Sequence, residues 1–362
     1  MESLGMRKLF NNVFEGKTVL VTGHTGFKGS WLSIWLTELG ANVLGYALEP
    51  YTRDDIFVVA GVERKIKSNF GDIRDFDKLK GIFDKYHPEI VFHLAAQPLV
   101  RLSYQQPKIT YDTNIGGTVN LLECCRACDP VKVIINVTSD KCYENKEWVW
   151  GYRENDALGG YDPYSSSKAC SEIITASYRS SFFKVGNKFL SSVRAGNVIG
   201  GGDWREDRLV PDCIRALKKG ERVGVRSPCS VRPWQHVLEP LSGYLLLASR
   251  MFQDGEKYSG AWNFGPYHGS VIAVEELARK LIDYWGSGQY KDLSQQSSQA
   301  PHEASILMLD ISKAINQLNW APALDVNEAI RLTVDWYKAD NVDYAFCTGQ
   351  INDYAAASEK RK

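Results

Sequence analysis

The stretch TVLVTGHTGFKGSWLSIWLTELG, residues 18–40, joins two segments of different periodicity through a turn with three glycines. Its first part, TVLVT, is rich in β-branched residues and predicts a buried strand. Its last part, WLSIWLTEL, has apolar residues at helical intervals and predicts a helix. Gly23, Gly26 and Gly29 lie between them, where glycine permits a tight turn and a close backbone approach to a bound group. This order predicts a pyrophosphate site at the helix N-terminus.

The glycine turn leaves some questions open. Its spacing is GxxGxxG and not the GxGxxG of the standard dinucleotide fingerprint, so the turn alone also fits a connection that binds nothing. We interpret Lys28 as a plain solvated side chain. A carboxylate near the adenosine ribose favours NAD and an arginine favours NADP. Glu49 follows the second predicted strand, with Arg53 close behind, and we favour NAD. Asp72 is either a partner of the adenine amino group or a helix N-cap.

Predicted strands and helices alternate as far as about residue 198. The strands are 18–22, 41–48, 67–73, 89–96, 131–139 and 188–198, and the helices cover about 31–39, 75–86, 109–127 and 163–183. This alternation predicts an α/β fold with a doubly wound parallel sheet of the Rossmann type. We expect a nucleotide-binding domain over 1–190 with later segments, about 230–265, interleaved. A smaller C-terminal substrate lobe would cover 191–350, and 351–362 would be a frayed tail.

Composition excludes some classes of function. The 362 residues include 43 Lys+Arg and 43 Asp+Glu, so the net charge is zero and nucleic acid or an acidic membrane is not an expected partner. No apolar run approaches the ~18 residues of a membrane span, and the start, MESLGMRKLFNNVFEGK, has no signal-type core. We expect a cytoplasmic protein with eight reduced cysteines. Cys125-x-x-Cys128 has no second pair nearby, and no metal site is expected.

Further motifs lie at defined positions along the chain: HLAAQ (His93–Gln97), TNIGGT (Thr113–Thr118), VTSDKCY (Val137–Tyr143), Tyr164-x-x-x-Lys168 and RAGNVIGGGDW (Arg194–Trp204). Together with GHTGFKG (Gly23–Gly29) and GDIRD, they resemble the extended short-chain dehydrogenase/reductase family over about two-thirds of the chain. TGHTGFKGSWL, AAQPLVRLSY and TSDKCYEN are similar to the nucleotide-sugar 4,6-dehydratases. Lys141 stands where the relatives acting on dTDP-glucose carry glutamate, which resembles the branch acting on CDP-sugars.

The resemblance implies oxidation of a sugar at C4, loss of water across C5 and C6, and return of hydride to C6, with NAD as cofactor. Tyr164 would take the C4 hydroxyl proton, and Lys168, one helical turn on, would lower the tyrosine pKa together with the positive cofactor ring. Ser139 would bond the C4 oxygen. Asp140 would be the acid for the C6 hydroxyl, which requires a pKa raised by burial. Lys141 would be the C5 base or its electrostatic partner.

The resemblance also implies binding residues and an assembly. The expected cofactor contacts are Gly23, Thr25, Gly26, Phe27, Gly29, Asp72, Ile73, Leu94, Ala95, Ala96, Tyr164 and Lys168. Substrate contacts to a nucleotide-diphosphate sugar are expected at Gln97, Arg194, Asn197, Arg208 and Arg232, although each arginine equally fits a structural salt bridge. Relatives pair through a four-helix bundle, which predicts a homodimer through 107–127 and 163–184.

The expected role is synthesis of deoxysugar precursors, including those of O-antigen. Two alternatives remain open. A nucleotide-sugar 4-epimerase would use the Tyr–Lys pair but would not need Asp140 and Lys141. A non-catalytic NAD(P)-sensing protein of the same fold would need neither the pair nor the acid.

Overall fold

The fold is described from a computed structural model that places residues 9–184, 186–296 and 306–360. Its strands are β1 (Thr18–Thr22), β2 (Asn42–Ala47), β3 (Lys67–Phe70), β4 (Ile90–His93), β5 (Val133–Val137), β6 (Phe189–Ala195), β7 (Val198–Ile199), β8 (Val223–Val225), β9 (Val231–Pro233), β10 (Gln235–His236), β11 (Ala261–Phe264), β12 (Val271–Ala273) and β13 (Tyr290–Asp292). Its α-helices are α1 (Phe27–Glu38), α2 (Ile56–Val59), α3 (Phe76–Tyr86), α4 (Val100–Gln105), α5 (Pro107–Tyr111), α6 (Gly117–Ala127), α7 (Pro163–Tyr178), α8 (Leu209–Lys218), α9 (Leu238–Asp254), α10 (Val274–Trp285), α11 (Val326–Lys338) and α12 (Tyr344–Lys360). In these ranges no helix combines the length and apolarity of a membrane span.

Seven parallel strands form the central sheet in the order β11-β6-β5-β4-β1-β2-β3. The strands β1, β4 and β5 are almost entirely buried, because helices cover both faces. This confirms the predicted doubly wound sheet. The chain reverses its direction of travel across the sheet between β1 and β4, and parallel sheets bind ligands in the crevice outside the strand ends at such a point.

The C-terminal part of the chain contributes both to the sheet and to a separate lobe. β11 pairs with β6 and so completes the sheet from residues 261–264. The pair β8 and β13 and the pair β9 and β12 lie outside the sheet. The short parallel pair β7 and β10 is formed just beyond the end of β6.

Two predicted elements differ in detail. The predicted helix over 109–127 is continuous but contains a π-helical turn at Asp112–Gly116 between α5 and α6. The expectation of a frayed tail at 351–362 is wrong as far as residue 360, because α12 continues to Lys360. Its Tyr354 is buried against Trp35 of α1, with ring centroids 5.7 Å apart. Residues 361 and 362, and the first eight residues of the expected leaderless start, lie outside the described ranges.

Three buried histidines make folding sensitive to acid. Burial lowers the pKa of His24 to about 4 and that of both His93 and His236 to about 3, from an ordinary value of 6.5. A depressed pKa in the folded state means that only the unfolded chain takes up these protons as the pH falls below 6.5. Stability from this source is therefore complete above that value and is lost on acidification.

We expect these histidines to reduce the free energy of unfolding by about 4 kcal/mol per pH unit between about pH 5.5 and 4.5, at about 1.4 kcal/mol for each proton. Urea unfolding at a series of pH values measures this slope. The variant His236→Gln should remove about a third of it, whereas His268→Gln, at an exposed position, should not. Equal slopes in the two variants would contradict the assignment.

Candidate active site

A single cavity of about 1510 Å³ extends from the glycine turn to the C-terminal lobe. Its walls include the ends of β4, β5 and β6, the start of α7, and the segment that leads into α8. The cavity therefore lies at the carboxyl edge of the sheet, at the switch point between β1 and β4. All predicted cofactor contacts line it, as do the five predicted catalytic residues.

The glycine turn is built for close backbone contact. Gly23 has a φ of +75°, and a Cβ there would lie 2.8 Å from the Ala95 nitrogen. A Cβ on Gly29 would lie 2.1 Å from the Gly23 oxygen. Neither position tolerates a side chain. The helix α1 begins at Phe27, and the first N–H groups of a helix have no carbonyl acceptor within the helix. These features fit a pyrophosphate at the N-terminus of α1.

The part of the cavity beside the ends of β2 and β3 has two carboxylates in its wall, Glu49 and Asp72. Arg53 does not line the cavity, whereas Glu49 does. The residue expected for NAD is therefore better placed than the residue expected for NADP. Asp72 does not cap α3; Asp75 does, accepting from the Lys78 nitrogen at 3.0 Å. The Arg74 side chain donates to Asp72 and holds the pKa of that carboxyl below its usual value.

Tyr164 and Lys168 occupy the first two turns of α7, which opens with the Asp162 N-cap and Pro163. The Lys168 Nζ donates to the Val137 carbonyl at 3.2 Å, which joins the helix to the end of β5. Burial lowers the pKa of Lys168 to about 8. Burial also raises the pKa of Tyr164 to about 12, although a hydrogen bond with Ser139 and the charge of Arg208 act in the opposite direction.

The direction of the Tyr164 pKa differs from the predicted one. The prediction counted the positive charge of a cofactor ring, whereas the protein groups alone leave the phenol neutral at pH 7. The side chain is 8% exposed, so the cost of burying a phenolate outweighs the favourable charges.

Ser139, Asp140 and Lys141 form a short turn directly after β5. The Ser139 Oγ donates to Asp140 Oδ1 at 3.0 Å and accepts from the Lys141 backbone nitrogen at 3.2 Å. Asp140 is 4% exposed, and burial raises its pKa although the charges of Lys141, Lys28 and Arg232 lower it. A raised pKa is the direction of shift required of the predicted acid.

Lys28 does not lie in bulk solvent as predicted. It is only partly exposed, lines the cavity, and has no hydrogen bond or ion pair to any residue within the described ranges. Burial lowers its pKa to about 8, with the charges of Arg208 and Lys168 acting in the same direction and those of Asp140 and Asp203 opposing them. The sequence missed this cation because the direction of a side chain at the start of a helix depends on how the helix packs.

Gln97 lines the cavity, but its side chain is largely engaged by the protein. Its amide nitrogen donates to the Leu99 carbonyl and to Thr110 Oγ1, and its amide oxygen accepts from the Leu99 nitrogen. The Asn114 side chain exchanges two hydrogen bonds with the Gln97 backbone and donates to Ser167 Oγ on α7 at 2.8 Å. The Asn114 amide therefore joins the loop after β4 to α7, and the Gln97 amide joins the same loop to α5.

The predicted substrate arginines separate into two groups. Arg208 and Arg232 line the cavity, as does Asn197. Arg208 is paired with Asp203 at 2.7 Å, and Arg232 is close enough to Asp140 to influence its pKa. Arg194 does not line the cavity: its guanidinium bonds Glu172 at 2.7 Å behind the site. For Arg194, therefore, the alternative of a structural salt bridge is the correct one, and the predicted contact with substrate is wrong.

Among the charged residues of the cavity wall that were not predicted are Asp207, Arg226 and Arg101, and Asp207 interacts with both arginines. Asp207 accepts from Arg226 at 3.1 Å and pairs with Arg101 at 3.3 Å, which joins the loop after β4 to the C-terminal lobe. Arg101 lies within the AAQPLVRLSY stretch quoted above, whereas Asp207 and Arg226 lie in none of the quoted motifs. The dense charge of the segment DWREDR, residues 203–208, is the one sequence signal that could have marked this part of the cavity.

Comparisons with known proteins agree with this geometry. The chain is 50% identical over 357 residues to CDP-glucose 4,6-dehydratase of Salmonella typhimurium, a match that covers 96% of this chain and 99% of the relative. Among solved structures, the UDP-glucose 4-epimerase of Thermotoga maritima with UDP-glucose is similar, with a TM-score of 0.73 and 26% identity over 89% of this chain and 98% of that one.

The fold is also similar to that of a double mutant of dTDP-glucose 4,6-dehydratase from Streptomyces venezuelae, solved with NAD and DAU bound. That match has a TM-score of 0.75 and 23% identity, and it covers 89% of this chain and 97% of the other. The profile of the GDP-mannose 4,6 dehydratase family matches residues 20–333. Because this match covers most of the chain, the protein belongs to the GDP-mannose 4,6 dehydratase family.

Proposed function

We propose that the protein converts CDP-D-glucose to CDP-4-keto-6-deoxy-D-glucose and water, with NAD as its cofactor. One observation carries the proposal: a buried carboxyl with a raised pKa, Asp140, lies in the same cavity wall as Tyr164 and Lys168. Oxidation at C4 needs only the tyrosine and lysine, but expulsion of a hydroxyl from C6 also needs an acid. Half of the residues are identical to those of the CDP-glucose 4,6-dehydratase of Salmonella, which supports the choice of substrate.

The glycine turn would hold the cofactor pyrophosphate, with Ile73, Leu94 and Ala95 against the adenosine part. Glu49, in the cavity wall after β2, would bind the adenosine ribose, and Lys168 would donate to the second ribose. When bound, NAD+ accepts a hydride from the sugar C4 and returns it to C6, and its ring carries positive charge. The remaining chemistry is assigned to side chains of this chain.

The positive charge of bound NAD+ would favour the phenolate of Tyr164, which would then accept the proton of the C4 hydroxyl. Ser139, bonded to Asp140, would orient the C4 oxygen. Lys141 would take the proton from C5, which the neighbouring carbonyl has made acidic, and would return it to C5 when the hydride reaches C6. Asp140 would give its proton to the departing C6 hydroxyl, which leaves as water. Asp140 and Lys141 are adjacent in the turn, and Asp140 is buried whereas Lys141 is partly exposed, which supports separate roles for the two side chains.

Arg208 and Arg232 would hold the diphosphate, because a planar guanidinium can donate two hydrogen bonds to one phosphate group. Their charges influence Tyr164 and Asp140, so they lie beside the reacting end of the cavity. Asn197 would contact the sugar or its first phosphate. Gln97 and Arg194 are not included in this set, because their side chains are engaged by the protein.

The proposal extends to a homodimer, to the cytoplasm and to the synthesis of deoxysugar precursors. Exposed apolar side chains on α5, on α7 and on the turn after α7 support the pairing of these helices with a second copy: Ile109, Tyr111, Ile173 and Phe182. The described cysteines are all free thiols, which fits a reducing compartment.

Incubation of the protein with NAD+ and, separately, CDP-, dTDP-, UDP- and GDP-glucose tests the function. Mass spectrometry should detect a product that has lost one water from CDP-glucose, with the other sugars converted at least about tenfold more slowly, as expected when a site built around one base leaves polar groups unpaired with another. A product of unchanged mass would indicate a 4-epimerase. The likeness to the Thermotoga epimerase favours that alternative at the level of the fold only, because an epimerase has no step for Asp140. Absence of turnover with bound cofactor would indicate the sensing protein.

A further inference from the structure

A buried ion pair lies directly behind the catalytic turn. Glu172 belongs to α7 and Arg194 to β6, and the Arg194 Nη2 lies 2.7 Å from Glu172 Oε2. Each of the two side chains is 3% exposed. A buried pair of this kind is costly to break from one side, because the remaining charge is left without a partner in a poorly polarisable environment.

Glu172 binds the first end of the catalytic turn. Thr138, the residue before Ser139, donates its hydroxyl to Glu172 Oε1 in a short hydrogen bond. The Thr138 backbone nitrogen donates to the Val193 carbonyl of β6 at 2.9 Å. Ser192, also in β6, donates its hydroxyl to Glu172 Oε2 at 2.6 Å. One carboxylate therefore connects α7, β6 and the exit of β5.

Arg194 binds the second end of the same turn. Its Nη1 donates to the Tyr143 hydroxyl at 2.6 Å, and its guanidinium lies 4.7 Å from the centroid of the Tyr143 ring. The Tyr143 hydroxyl in turn donates to Asn263 Oδ1 at 2.8 Å, in β11. Tyr143 follows the turn that carries Asp140 and Lys141, so the two members of the ion pair hold the two ends of that turn.

Glu172 also acts on Lys168, which precedes it by one helical turn on the same helix. Burial lowers the pKa of Lys168, and the charge of Glu172 is the principal effect that opposes this lowering. The other titratable or charged groups close to Lys168 are Cys142 of the turn, Lys28 of α1 and His93 of β4. Glu172 itself faces Arg194, Arg179 and Cys142.

We propose that Glu172 and Arg194 are positioning residues for the dehydration reaction, and that their ion pair holds the Lys168 helix and the turn from Ser139 to Cys142 in a fixed mutual arrangement. The inference rests on the proposed function, since it concerns the same catalytic groups. Neither residue contacts the cavity, so both act through Lys168, Asp140 and Lys141.

The variant Glu172→Gln tests this role, because glutamine keeps the size of the side chain and removes its charge. We expect kcat for CDP-glucose to fall by about 10²-fold, the loss typical of a small misplacement of reacting groups. The KM should change by no more than about threefold, since the proposed diphosphate ligands Arg208 and Arg232 are untouched. The alkaline limb of the kcat profile should move to lower pH, because Lys168 loses the charge that favours its protonated form. Glu172→Asp retains the charge and should leave that limb in place.

Glu239→Gln is the matched control. Glu239 is equally buried, accepts from the Tyr354 hydroxyl and from the Ala323 and Leu324 nitrogens, and lies outside the cavity wall. Its replacement should lower stability without moving the pH profile. Wild-type turnover in the same assay measures the proposed function itself. A folded Glu172→Gln with the wild-type kcat and pH profile would overturn the positioning role alone. Failure of both Glu172→Gln and Arg194→Lys to fold, with Glu239→Gln folded, would also overturn it, because the pair would then be purely structural.

Discussion

Replacement of Tyr164 by phenylalanine is expected to lower kcat by about 10³-fold while the affinity for NAD+ stays within about threefold of wild type. General acid–base groups contribute about 10² to 10⁴-fold, and Tyr164 is the assigned acceptor of the C4 hydroxyl proton. The ring itself remains, so the packing at the start of α7 is preserved. Product formation from CDP-glucose measures kcat, and a fluorescence titration with NAD+ measures the affinity.

Tyr178→Phe is the matched control for this prediction. Tyr178 is the last residue of the same helix and donates to Glu123 at 2.8 Å, away from the cavity. It should retain the wild-type kcat. A Tyr164→Phe enzyme that keeps more than about a tenth of wild-type turnover would exclude the assigned role, since general-base losses are larger.

Asp140→Asn is expected to stop the loss of water while proton exchange at C5 continues. Asparagine cannot supply the proton that the C6 hydroxyl needs, so kcat for dehydration should fall by about 10²-fold or more. Exchange at C5 depends on the base, assigned to Lys141, and should survive. Mass spectrometry in heavy water reports both events: deuterium enters the sugar, but its hydroxyl stays.

The variant Lys141→Met gives the reciprocal pattern. It should lose exchange at C5 and, with it, dehydration, although the acid is intact. If Asp140→Asn abolishes exchange and Lys141→Met retains it, the two roles are reversed. The wild-type rate should decline at high pH, because both Lys168, with a pKa of about 8, and Asp140, whose pKa is raised by burial, must hold their protons to act.

Much of the fold, and the meeting of the candidate catalytic residues in one cavity, could be predicted because each part lies within a short continuous segment. The glycine turn follows a strand and begins a helix, so its role depends on local order alone. Tyr164 and Lys168 are four residues apart on one helix, and Ser139 to Lys141 directly follow a strand. Local spacing therefore brings these groups to the sheet edge.

The residues that were misplaced depend on packing between distant segments. Arg194 lies near the end of a strand, where alternate side chains face opposite sides. Its side of β6 is covered by α7, which supplies Glu172, and the sequence does not reveal which face that is. Lys28 could equally point outward or into the cavity until the position of α1 is known. Asp207 pairs with Arg101, more than a hundred residues earlier in the chain, and with Arg226, nineteen residues later. No local sequence pattern indicates such pairs.

The origin of the seventh strand has a consequence for how the protein is made. β6 is formed by residue 195, but its partner β11 does not exist until residue 264 has been synthesised. Until that moment a growing polypeptide displays an unpaired row of amide and carbonyl groups along β6, the kind of edge that invites pairing between chains. Asn263, which accepts from the Tyr143 hydroxyl, belongs to β11 and is also absent until then. Assembly of the catalytic centre is thus a late event on the ribosome, even though nearly all of its reacting groups are translated in the first half of the chain.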